Sequence, residues 1–208
     1  ITGAQETRFE LILGGMRYPA TIPFADSHYV MNALPAAALA RHFNISPEQI
    51  INNLARLQQG AMRGKILHFT EGFAIIDDSY NSNPRALEQM IELLAALPAF
   101  KRRILLAGEM LELGKDSDSL HFECGVFAAA RKLDLVIGIQ GAAREIVRGA
   151  RESGMPESQA LYFEDSDAAA SFINNELREG DLVLIKGSRG VHTEKVVESV
   201  RTRFNLMN

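Results

Sequence analysis

Cysteine is nearly absent from this 208-residue chain, with Cys124 alone, so no internal disulfide can staple the fold and a reducing compartment fits. Cys124 lies in a helical apolar pattern with Phe122, Val126 and Phe127, which reads as a buried thiol. No apolar run approaches the ~20 residues of a membrane span. A positive excess is lacking too: 22 Lys and Arg face 26 Asp and Glu, a net charge of −4, which argues against a nucleic-acid footprint. No signal peptide, low-complexity stretch or fixed repeat is visible, and Ile1 in place of Met points to a natural N-terminus further upstream. There is no Gly-x-x-x-x-Gly-Lys-Ser/Thr, the loop whose backbone cradles nucleotide phosphates. The turn Gly138-Ile139-Gln140-Gly141 lacks the Gly-x-Gly of a dinucleotide loop and reads as an ordinary strand-to-helix turn, despite Glu164 downstream.

What is present is 47% hydrophobic, ample for one or two domains. Residues 8–13 and 16–22 read as strands around the Gly14-Gly15 turn. A helix is expected over 27–42, interrupted at Pro35, and Ser46-Pro47-Glu48-Gln49 has the form of a capping box opening another. Gly60 to Gly64 read as a flexible connection, with short strands near 65–69 and 73–77. Strands are expected at 103–107, 133–139, 160–163 and 181–185, and helices at 84–97, 117–131, 141–152, 167–178 and 191–203. Runs such as Ile104-Leu105-Leu106-Ala107 are apolar throughout, as in parallel strands covered on both faces. The expected fold is α/β, a Rossmann-like, mostly parallel, doubly wound sheet from residue 73 to 208. Residues 1–72 hold a hairpin and two helices with no obvious sheet to cover, which reads as the tail of a larger domain.

The most informative stretch is Ile75-Ile76-Asp77-Asp78-Ser79-Tyr80-Asn81-Ser82-Asn83-Pro84. An apolar strand ends in two carboxylates, and a polar turn leads to Asn83, a cap, and Pro84 at the first helical position. Leu87, Met90, Ile91, Leu94 and Leu97 form the core face of that helix. Acids and amides thereby stand at the carboxyl end of a strand, where open α/β sheets bind ligands. A carboxylate there can accept both hydroxyls of a ribose, and an amide can meet a purine edge. The same residues equally suit a capped strand–turn–helix with solvated acids. Lys186-Gly187-Ser188-Arg189-Gly190 follows another buried strand and reads as an anion site at a helix N-terminus. Glu109, Glu112 and His121 match no standard zinc spacing and read as residues that order the loop or sit at the domain interface.

Four ordered segments resemble the Mur ligase family, in particular its branch that adds D-alanyl-D-alanine. Asp-Asp-Ser-Tyr-Asn-Ser-Asn-Pro is similar to its Asp-Asp-Ser-Tyr-Asn-Ala-Asn-Pro. Gly108-Glu109-Met110-Leu111-Glu112-Leu113-Gly114, with His121 following, resembles Gly-Asp-Met-x-Glu-Leu-Gly. Lys186-Gly187-Ser188-Arg189 resembles Lys-Gly-Ser-Arg, and His28 with Asn32-Ala33-Leu34 resembles a His-x-x-x-Asn-Ala helix. The chain departs from the pattern at Tyr29, where Asn is common, at Lys65, where the family has Arg, and at Glu109, where Asp is usual.

The resemblance implies a cytoplasmic, monomeric ATP-dependent ligase of peptidoglycan precursor synthesis. It joins D-alanyl-D-alanine to UDP-MurNAc-tripeptide through an acyl phosphate. ATP-binding residues would be Asp78, Asn81, Asn32, Lys65 and His28, with Arg63 a substitute for Lys65. Substrate-binding residues would be Lys186, Ser188 and Arg189. Residues 1–72 would end the central ATP-binding domain and 73–208 form the C-terminal domain. The phosphate loop and the Mg2+ ligands are expected upstream, so the 208-residue chain alone is expected not to turn over ATP. Rival readings are another Mur or folylpolyglutamate-type ligase, against which Tyr80-Asn81 speaks, and a non-catalytic Rossmann nucleotide-binding module.

Overall fold

A computed structural model describes residues 6–23, 27–58, 60 and 62–207, and for Ser27 and His28 the backbone only. Residue 61, inside the expected flexible connection, lies outside them, as does Ile1. The chain packs as two units that part between Gln59 and Gly60.

In the first unit, β1 (Thr7–Leu13) and β2 (Met16–Ile22) pair antiparallel around Gly14-Gly15. Helix α1 (Ser27–His42) continues through Pro35, and α2 (Pro47–Leu54) follows. The capping box is formed: Gln49 N donates to Ser46 Oγ and Ser46 N to Gln49 Oε1, each at 3.3 Å. The hairpin does give the helices a surface to cover, in a small core of Leu11, Ala20, Ile22, Ala33, Ala37, Ile50 and Leu54. The outer side of α1 stays apolar and exposed, at Met31, Leu34 and Leu39.

The second unit is the expected α/β sandwich. Its strands are β3 (Lys65–His68), β4 (Ala74–Asp78), β5 (Arg102–Gly108), β6 (Leu135–Ile139), β7 (Ala160–Phe163) and β8 (Asp181–Lys186), in the spatial order β3-β4-β8-β5-β6-β7. All pairings are parallel except β3 with β4. The sequence places a boundary near residue 72, whereas packing divides the chain at 59/60. The reason is that β3 hydrogen-bonds in register with β4, Lys65 opposite Asp77, and so joins the second sheet. Beyond the end of β3 the segment 205–207 pairs with 68–70, where Met207 N donates to His68 O and Thr70 N to Asn205 O.

Helices α3 (Pro84–Ala96), α4 (Ser117–Ala130) and α5 (Ala143–Glu152) cover one face, burying Leu87, Ile91, Cys124 and Ile146 with Ile76, Leu105 and Leu184. Helices α6 (Ser166–Glu176) and α7 (Glu194–Arg203) cover the other, burying Ile173, Val196 and Val200 with Ile75, Ile104 and Val183. The middles of β4, β5, β6 and β8 are apolar and buried, as suits strands covered on both faces. Burial pushes the Cys124 thiol up to about 12, so it is an inert core residue.

The chain leaves β4 for one face and β8 for the other, although the two strands are neighbours. Their carboxyl ends therefore flank a topological switch point, where a crevice opens between divergent connections.

Helices α4 and α5 approach backbone to backbone. A Cβ on Gly125 would overlap the carbonyl oxygen of Ile146, and one on Gly149 that of Phe122. In an exposed helix Gly→Ala stabilises by about 1 kcal/mol. Here overlap with a rigid carbonyl outweighs that gain, so Gly125→Ala is expected to destabilise by about 1–3 kcal/mol in urea unfolding.

Candidate functional site

Ala74, Ile75 and Ile76 are fully buried, and the strand reaches the sheet's edge as its composition turns polar. Successive side chains alternate, so Asp77 and Asp78 face opposite sides. Asp77 is absorbed by its own turn: its Oδ1 accepts from Ser79 N at 3.3 Å and Ser79 Oγ at 2.6 Å. Asp78 stands in register with Lys186 on β8. Lys186 Nζ donates to Asp78 Oδ2 at 2.6 Å and to the carbonyl of Asn81 at 2.8 Å. The lysine side chain is only 4% exposed and the aspartate 16%. Burial raises the Asp78 carboxyl above the ordinary aspartate range, Asp77 adds to this, and Lys186 and Arg63 oppose it.

Two candidate groups that the sequence reading separates are thus one ion pair. Lys186 is not an exposed cation at a helix N-terminus. The helix expected at 191 starts at Glu194, after one turn of 3-10 helix at Arg189–Val191. The lysine engages Asp78 through Oδ2, and the Arg63 charge acts on the same carboxylate. Asn83 is a cap, its Oδ1 accepting from Ala86 N at 2.9 Å. Exposed Asn81 accepts from Ser82 N through its side chain.

Tyr80 is more than packing. Its half-exposed ring carries the Arg63 guanidinium at 4.3 Å and that of Arg189 at 6.0 Å. Three segments distant in sequence meet there, so spacing gave no signal for it. Lys65 lies exposed on β3 opposite Asp77, hence on the face away from Asp78; Arg63 is the cation whose charge reaches that carboxyl. Asn32 is exposed on α1 of the first unit, and the side chain of His28 lies outside the described residues.

Ser188 is buried. Its Oγ accepts from Leu111 N at 2.9 Å, and its N–H donates to the carbonyl of Glu109. Arg189 is exposed and approaches Glu194 at 3.9 Å. Glu109 reaches α5: its carboxylate fills the space beside Gly141 and accepts from Ala142 N at 3.0 Å. An acid already occupies that helix N-terminus and repels a second anion, so the turn is no pyrophosphate site. His121 is fully buried and accepts from Met110 N at 2.8 Å. Among the described residues no three His, Cys, Asp or Glu side chains gather to hold a metal ion.

The site is therefore a polar crevice at the switch point of a parallel α/β sheet, bounded by the turns after β4, β5 and β8. Residues 62–189 match the family model of the Mur ligase, glutamate ligase domain, so the chain belongs to the Mur ligase family. It is 32% identical over 179 residues to the UDP-N-acetylmuramoyl-tripeptide–D-alanyl-D-alanine ligase of Bacillus subtilis, a match covering 86% of this chain and 39% of that protein. The Escherichia coli ligase of the same name is 30% identical, with 86% and 38% covered. A crystal structure of MurF from Acinetobacter baumannii superposes with a TM-score of 0.77 at 26% identity, covering 96% of this chain and 43% of that one. Thermotoga maritima MurF ligase, solved in complex with ADP, shares the fold with a TM-score of 0.67 at 24% identity, covering 95% and 44%. The chain thus spans about two fifths of the length of the relatives it matches.

Two measurements check the site. Lys186→Met leaves Asp78 buried without its partner, so its carboxyl rises further, as carbon-detected pH titration would read. A raised acid favours the fold below the ordinary aspartate range and loses that contribution as pH climbs through its folded value. The variant is therefore expected to lose about 3 kcal/mol at neutral pH and less in acid, with Asp78→Asn restoring much of it. Ser82 Oγ is buried without a hydrogen-bond partner among the described residues. Ser82→Ala is expected to raise the thermal midpoint, gaining about 1 kcal/mol from the relieved desolvation.

Proposed function

We propose that the protein carrying this chain is a cytoplasmic ATP-dependent ligase that joins D-alanyl-D-alanine to UDP-MurNAc-tripeptide. The observation that carries the reading is the Asp78 carboxylate, held at the switch point by Lys186 through Oδ2, inside a turn similar to the family signature. Asp78 accepts the ribose hydroxyls of ATP, and Asn81 lies beside the nucleoside. Arg63, which shares the Tyr80 ring with Arg189, is better situated than Lys65 to meet nucleotide charge. The loop at 186–189 receives the carboxylate of the incoming dipeptide at Arg189, while Ser188 ties the loop to Leu111 and Lys186 ties its start to the turn after β4.

In the reaction, the terminal carboxylate of the tripeptide takes the γ-phosphoryl group of ATP and ADP leaves. The dipeptide amine attacks the acyl phosphate, a tetrahedral intermediate collapses, and phosphate departs as the amide forms. This chain contributes binding and alignment of reactants, which supply much of the rate. Magnesium would neutralise phosphate charge; among the described residues no three His, Cys, Asp or Glu side chains gather to hold it. Residues 1–59 are the closing part of a larger nucleotide-binding domain, a reading supported by the exposed apolar side of α1.

The test is phosphate release by the full-length protein with ATP, UDP-MurNAc-tripeptide and D-alanyl-D-alanine. Activity is expected from the wild type. Asp78→Ala is expected to raise KM for ATP by at least about tenfold, the loss of a charge-assisted hydrogen bond. No activity with this substrate set, or an unchanged KM in the variant, would sink the reading.

A further inference from the structure

The segment after β5 is tied down through three successive N–H groups. Glu109 N donates to Ile139 O at 3.0 Å, Met110 N to His121 Nε2 at 2.8 Å and Leu111 N to Ser188 Oγ at 2.9 Å. Ser188 N returns a bond to Glu109 O at 3.2 Å, and the Leu111 side chain packs against Gly190. His121 belongs to α4, on the far side of this segment from Ser188, and is 0% exposed. Its Nδ1 lies 2.7 Å from the carbonyl of Ser117, which fixes the proton on Nδ1 and leaves Nε2 as an acceptor. Met110 is itself 1% exposed, so its N–H has no water to turn to if the ring is removed.

We propose that His121 is a positioning residue for the second substrate. It holds the Met110 N–H, which sets Leu111; Leu111 N sets the Ser188 hydroxyl; and Ser188 fixes the backbone from which Arg189 projects. A buried imidazole on α4 thereby governs where a guanidinium on the β8–α7 connection meets a substrate carboxylate. The proposal rests on the reading above that this loop receives the carboxylate of the dipeptide.

The experiment uses the full-length ligase and compares kcat/KM for D-alanyl-D-alanine with that for its C-terminal amide, alongside KM for ATP. The wild type is expected to prefer the carboxylate. His121→Leu is expected to lose that preference by at least about tenfold, the size of a displaced charge-assisted contact, while KM for ATP moves by less than about twofold. His121→Gln, whose side-chain oxygen still accepts from Met110 N, keeps the preference. Ser188→Ala cuts the far end of the same chain of bonds without opening the α4 core, and it loses as much. The double variant loses no more than the larger single change, since both act along one path. A preference intact in His121→Leu overturns the positioning role while leaving the ligase reading standing. If that variant does not fold, an intact preference in Ser188→Ala overturns it equally. A wild type that treats carboxylate and amide alike overturns both this proposal and the carboxylate role of the loop.

Discussion

The carboxylate of Asp78 and the ammonium of Lys186 stand 2.6 Å apart across 108 residues of sequence, and the crevice is built around that pair. Each charge would be costly in this setting alone, because both side chains are largely withdrawn from water. Together they hold the ends of β4 and β8 in register, and the lysine's second bond, to the Asn81 carbonyl, shapes the turn after β4. A matching arrangement exists at the opposite end of the sheet. There Arg102 on β5 makes a two-pronged pair with Asp181 on β8, at 2.8 and 2.7 Å. The central strand β8 is thus pinned to one neighbour at its start and to the other at its end. The two pairs differ in what lies beyond them: the Arg102 guanidinium is bonded again, to the Glu176 carbonyl, whereas beyond the Asp78 pair it is the lysine that bonds again, to the Asn81 carbonyl.

Around this pair the three loops depend on one another. The β5–α4 segment lends its backbone to His121 and Ser188 and its Glu109 carboxylate to the start of α5. That last contact fills the helix N-terminus resembling a nucleotide loop, whereas at the Tyr80 corner Arg63 and Arg189 share a ring. Gly108 and Gly187, at the ends of β5 and β8, bring these loops close: a side chain on either would meet Thr193.

Much of this was legible from local signals. Apolar runs of four or five residues, Asn83 before Pro84, and Ser46 three residues before Gln49 each act over a few residues, and the elements form where these place them. The fold class followed from strict strand–helix alternation. The turn from Asp77 to Asn83 was legible as the link between an apolar strand and a capped helix, and it is that link. Less legible were features with partners far along the chain. The strand expected near 65–69 reads as part of the first domain until β3 is seen paired with β4. Tyr80 resembles packing until two arginines arrive from either end of the unit. Gly125 and Gly149 are unremarkable helical glycines until α4 and α5 meet.

By itself, the sequence determined the secondary structure, the α/β class and the cluster of acids and amides at the end of β4, because propensity, capping and hydrophobic period are short-range effects. Only the tertiary structure decided that β8 inserts between β4 and β5. With that insertion Lys186 became the partner of Asp78 rather than an exposed cation. The reason is physical: burial strips water from a charge, and which opposite charge replaces that water depends on strand order, a property of the folded chain as a whole.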